Sequence, residues 1–99
     1  MIARHWRGLV RRDRAAAYVE HLQSETLPQL VQLAGFLDAK VLRRDLSEGA
    51  EFLVVTIWES IDSIRAFAGN DVESAVVPPK ARDMMIEYDR KARHYDVVD

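Results

Sequence analysis

Histidine is the only side chain whose ordinary pKa, about 6.5, lets it exchange a proton near neutral pH. Two of the three histidines lie near the chain ends, His5 in "IARHWRGLV" and His94 in "RHYDVV". Arg7 follows His5 by two residues, so in a strand both side chains project from one face. A base beside a guanidinium can draw a proton from a weakly acidic hydroxyl and hold the resulting anion. The plainer reading is two partly exposed strand histidines, or hydrogen-bonded contacts with a second chain.

Aromatic residues supply candidate walls for a small-molecule site. Tyr18 and Phe67 lie on apolar stripes of two helical segments, and Trp58 stands where a strand gives way to a helix. Each could bind an aromatic ligand or simply fill core. For Trp58 the joint favours core, with its indole N–H finding a nearby acceptor. His5, His21 and His94 have no metal-ligand spacing, and the absence of cysteine excludes thiolate catalysis, thiolate metal sites and disulfides. There is no phosphate-cradling glycine loop and no nucleophile elbow. Glu20, Glu25, Asp38 and Glu51 are scattered and read as solvated surface groups.

The elements that must position these residues follow from hydrophobic period. Ile2 to Val10 alternates loosely and predicts a first strand. Asp13 is placed to cap a helix with the stripe Ala15, Tyr18, Val19 and Leu22, which Pro28 should kink before Leu30 and Leu33 carry the buried face to Gly35. Phe36 to Leu46 predicts a second strand, and "SEGAE" turns it into a third, with Gly49 available for a positive φ. From Phe52 to Trp58 every residue except Thr56 is apolar, as in a strand covered on both faces. Ser60 then caps a helix carrying Ile61, Ile64, Phe67 and Ala68, and Gly69 ends it. A long connection through Pro78 and Pro79 leads to a last strand in "DRKARHYDVV", with "KARDMMIEY" before it as possible further helix. The order β-α-β-β-α-β is the ferredoxin-like α+β pattern, a four-stranded antiparallel sheet with helices on one face. Because Leu53, Val55 and Ile57 are apolar as well as Phe52, Val54 and Trp58, the other face also needs a cover. A second copy of the chain is the simplest one. By its parity Trp6, opposite to His5, is expected to face that partner.

Ninety-nine residues, 48% of them hydrophobic and 30% charged, make one globular domain spanning 1–99. A net charge of −2 gives no reason to expect nucleic acid. No apolar run approaches the ~20 residues of a membrane span and no signal-peptide core opens the chain, so a cytoplasmic protein is expected.

"MIARHWRG", "LPQL…AGF", "VLRRD", "TIWES", "AFAGND…AVVPP" and "RHYDVV" together resemble the antibiotic biosynthesis monooxygenase family of dimeric α+β barrels. The resemblance implies two ferredoxin-like sheets paired into a barrel. It also implies a cofactor-independent monooxygenase, or a related small-molecule enzyme, acting on a phenolic or quinol-like compound. The alternative is a non-catalytic ligand-binding or stress-related barrel. Haem-degrading relatives carry an asparagine on the first strand, a tryptophan in the second helix and a histidine beyond it. The corresponding residues here are Arg7, Phe67 and Val77, and none matches. The expected site is therefore His5, His94 and Arg7 for catalysis and Tyr18, Trp58 and Phe67 for binding, with no cofactor and no metal.

Overall fold

Strand β1 (Ile2–Val10) is the hub of the computed structural model, which describes residues 1–99. It pairs antiparallel with β3 (Ala50–Trp58) along its whole length, from Ile2 opposite Trp58 to Val10 opposite Ala50. On its far side β3 pairs with β2 (Phe36–Asp45). The remaining edge of β1 is filled by two short strands in succession. Gly8 to Val10 meet β4 (Met85–Tyr88), and Ile2 to His5 meet β5 (Arg93–Asp96). The order β2-β3-β1-β4, with β5 also on β1, is the ferredoxin-like antiparallel sheet with its last strand broken in two.

That break corrects the expectation of one strand in "DRKARHYDVV" with helix before it. Helical winding stops after the short α4 (Pro79–Arg82), and "MIEY" is strand. The gap between β4 and β5 is bridged instead by the preceding loop. Ala92 N–H donates to the Glu73 carbonyl at 2.7 Å and Ala75 N–H to the Arg90 carbonyl at 3.0 Å. The backbone groups released by the break are thereby satisfied.

The helices cover one face. α1 (Ala15–His21), a π-helical turn over Leu22–Thr26 and α2 (Leu27–Leu30) run on as one rod, and Pro28, which has no N–H to give, follows directly on the π turn, whose Leu27 N–H reaches back to the Leu22 carbonyl. Asp13 does not cap this rod. It lies inside a 3₁₀ turn, Arg12–Arg14, and no side chain caps α1. α3 (Ile61–Ala68) begins as expected, with Ser60 Oγ accepting from Ser63 N–H at 3.2 Å and Ser63 returning the contact to the Ser60 N–H. Gly69 ends it at φ 84°. The other positive φ belongs to Gly35, not Gly49. At Gly49 the need for glycine is close approach, since a Cβ there would stand 2.6 Å from the Val10 carbonyl oxygen.

The core beneath the helices is divided. One cluster joins Val10, Tyr18, Leu22, Phe52, Met84 and Met85. A smaller one joins Leu30, Trp58 and Ile64. The opposite face of the sheet carries Leu53, Val55 and Ile57 half-buried, with Leu42 and Tyr95 each about half exposed, and no helix lies over it. No helix of the chain is long and apolar enough to cross a membrane.

Candidate functional site

The seam between the two core clusters is a partly open cleft with about 60 Å³ of space, more than a single water requires. Arg4, Trp6, Val54 and Thr56 form its floor, all from the helix-facing parity of β1 and β3. Tyr18, His21 and Thr26 line one wall from the helical rod, and Phe67 with Val76–Pro78 lines the other. The lining is mostly apolar, so the few polar groups in it decide what chemistry the cleft can support.

Two of those groups are ionisable, buried and absent from the set expected from sequence. Arg4 is 4% exposed. Its Nη1 donates to the Val72 carbonyl and lies 2.9 Å from His94 Nε2, its Nη2 donates to the Ser74 carbonyl at 2.8 Å, and its guanidinium sits 5.7 Å over the Phe67 ring. His21, also 4% exposed, lies between Glu25 and Thr26, with Nδ1 3.3 Å from Glu25 Oε2 and Nε2 3.4 Å from Thr26 Oγ1. Lys80 of α4 holds the same Glu25 oxygen at 2.7 Å. Lys80 first, and His21 second, keep the Glu25 carboxyl below its usual range. An ionised Glu25 orders His21 with its proton on Nδ1, which leaves Nε2 to accept a proton. The π turn carries Glu25 and Thr26 to either side of the ring, and such turns recur at functional sites. Tyr18 stacks on the His21 ring at 6.4 Å, and burial pushes its phenol pKa up, so it stays neutral.

The expected residues are distributed differently. His94 pairs with Arg4 across β1 and β5 and borders the cleft only through it. His5 and Arg7 are on the opposite face, so His5 and His94 do not share a site. His5 stacks edge-on against Tyr95 at 5.1 Å. Arg7 is committed to Glu51 at 2.5 Å and Glu87 at 3.4 Å, and Arg44 and then Arg7 hold the Glu51 carboxyl at about 2. Trp6 does not face a partner sheet. It lies over Gly8, whose Cβ would meet its ring at 2.6 Å, and its indole N–H donates to the Asp89 carbonyl at 2.8 Å. Tyr18 and Phe67 do line the cleft. Trp58 is fully buried core, with its N–H on Thr56 Oγ1 at 2.9 Å. The missed residues had signals: His21 continues the stripe from Tyr18 by three residues, and Arg4 shares the parity of Ile2, Trp6 and Val10.

His94 carries a pH dependence. Burial first and the Arg4 charge second lower its pKa, against a smaller opposing effect of Glu73. The folded chain thus binds this proton more weakly than the unfolded one, and stability is full above about 6.5 and falls as pH drops through the lowered folded value. Thermal melts from about pH 7 to about pH 5 are expected to show this loss, and His94→Gln, which keeps an acceptor for Arg4, to flatten it. An unchanged slope in that variant would remove His94 as the cause.

The family model for antibiotic biosynthesis monooxygenase matches residues 1–77. A solved structure from Bacillus cereus, provisionally named an antibiotic biosynthesis monooxygenase, superposes with a TM-score of 0.68. It covers 100% of this chain and 93% of its own, at 21% identity. No curated protein matches the chain.

Proposed function

Since the chain belongs to the antibiotic biosynthesis monooxygenase family, we propose that it is a cofactor-independent monooxygenase acting in the helix–sheet cleft on a phenolic or quinol-like compound. The observation that carries the reading is a buried histidine, His21, ordered by a carboxylate inside an apolar cleft. Nε2 of His21 takes the hydroxyl proton of the substrate, and the resulting anion is electron-rich enough to reduce dioxygen. For a phenol, one oxygen atom becomes the new quinone carbonyl and the other leaves as water, carrying the hydroxyl proton and the one hydrogen of the oxygenated ring carbon. All the electrons come from the substrate. Apolar walls keep bulk water from the anion. A substrate of ring size requires the Val76–Pro78 wall to move outward, because the cleft as it stands is narrow.

That narrowness favours a second reading, a non-catalytic ligand-binding barrel. Oxygen uptake separates the two. Protein freed of flavin, haem and metal should consume oxygen with members of a phenol and quinol panel, and ligand binding with no uptake across the panel would leave the binding reading alone. In either case the uncovered sheet face is proposed to pair with a second copy of the chain, in the manner of a dimeric α+β barrel.

A further inference from the structure

Arg4 is a buried cation without a counter-charge. The ion pairs of the chain involve Arg7, Arg43, Arg44, Arg65, Arg93, Lys80, Lys91 and His21, never Arg4. Glu73, the carboxylate whose charge reaches His94, has Lys91 at 3.9 Å. Around the guanidinium stand two backbone carbonyls, the ring nitrogen of His94 and the face of Phe67, all formally uncharged groups. Those contacts take up only part of its planar fork of donors, and Arg4 lines the cleft. A guanidinium does not escape the cost of burial by losing its proton, unlike a lysine or histidine. The imbalance therefore persists until an anion arrives.

We infer that the cleft holds its ligand as an organic monoanion, an aromatic ring bearing one oxygen that His21 has ionised or that enters already ionised, with that oxygen on the free edge of the Arg4 guanidinium. Arg4 then acts as the charge selector of the site. Phe67 fixes the plane of the guanidinium, and the Val72 and Ser74 carbonyls with His94 fix its rotation, so the remaining donors have a set direction. The inference takes the location of the site from the proposed function but concerns binding rather than turnover.

Matched probes test it without oxygen present. para-Nitrophenol, at a pH where it is fully ionised, and its neutral methyl ether para-nitroanisole are close in size. Each can be titrated by calorimetry and by quenching of Trp6, which lies in the cleft. The phenolate is expected to bind roughly tenfold to a hundredfold more tightly, as for a hydrogen bond to a charged group. Arg4→Gln should abolish that preference and Arg4→Lys should keep part of it. Equal affinity of the wild-type protein for the two probes, or no binding of either at millimolar concentration, overturns the inference without any variant having to fold. So does a folded Arg4→Gln protein that still prefers the phenolate, because Arg4 would then only pin the loop. Anion binding without oxygen uptake would instead remove the monooxygenase reading and leave this one standing.

Discussion

His21→Ala is expected to lower oxygen-dependent turnover by ~10²–10⁴-fold, the usual contribution of a positioned general base. The loss should lie in kcat, because the ring is small beside the whole lining of the cleft and its removal leaves most binding contacts in place. Glu25→Gln should cost less, since His21 stays in place while its orienting charge is gone. Far-UV circular dichroism and a thermal melt must show that the variants fold. The rival assignment predicts a different pattern. If His5→Ala and Arg7→Ala lose as much turnover as His21→Ala, the proton is taken on the opposite sheet face and the cleft is not the site. If His21→Ala retains full activity on a compound the protein oxidises, the base has been misassigned while the reaction class survives.

Val55→Asp is expected to convert a dimer into a monomer. Val55 lies mid-sheet on the uncovered face, between Lys40 of β2 and His5 of β1. Covering Leu42, Leu53, Val55, Ile57 and Tyr95 removes apolar surface from water at ~25 cal/mol per Å², which drives pairing. A two-fold interface presents each residue twice, so one substitution buries two carboxylates. The dissociation constant should then rise by at least about a hundredfold, given what burial of an unpaired charge costs. In the monomer Lys40 and His5 flank the new carboxylate, so the fold itself should survive. Sedimentation at micromolar concentration should show about twice the 11.4 kDa chain mass for the wild-type protein and the chain mass for the variant. Trp6→Ala should leave assembly intact, because Trp6 faces the cleft. A well-folded wild-type monomer would defeat the proposal.

The element order, the Ser60 cap, the Gly69 stop and the core role of Trp58 were all legible in the sequence, because each rests on local chemistry or on a period sustained over several residues. Tyr18 and Phe67 were legible as cleft lining too, but its strand residues were not, and the reason is parity. On β1 one face carries Ile2, Arg4, Trp6, Gly8 and Val10, the other Ala3, His5, Arg7 and Leu9. Both sets mix apolar and polar residues, so alternation alone did not say which met the helices, and the choice turned every side chain to the wrong side at once. The pairing of Trp6 with Val54 and of Val10 with Ala50 settles it. The broken last strand was illegible for another reason. Its gap is satisfied by a hydrogen bond to the Glu73 carbonyl and one from the Ala75 N–H, both remote in sequence, which no local pattern announces. Glu25 read as a surface carboxylate and is indeed half exposed, but its inward contact depends on the π turn.

That turn also sets a phase relation along the rod. An ordinary α-helix advances ~100° per residue, so the one extra residue in a π turn rewinds everything downstream by about that angle. Tyr18 and His21 before it, and Leu30 after it, can therefore all point at the sheet although no single helical stripe would align them. Straightening Leu22–Thr26 to α geometry at its present length would rotate Leu30 away from Trp58 and Ile64, whereas removing one residue as the turn tightened would leave Leu30 in phase. The residue count between His21 and Leu30 and the π geometry of the turn are thus coupled, each fixing what the other must be.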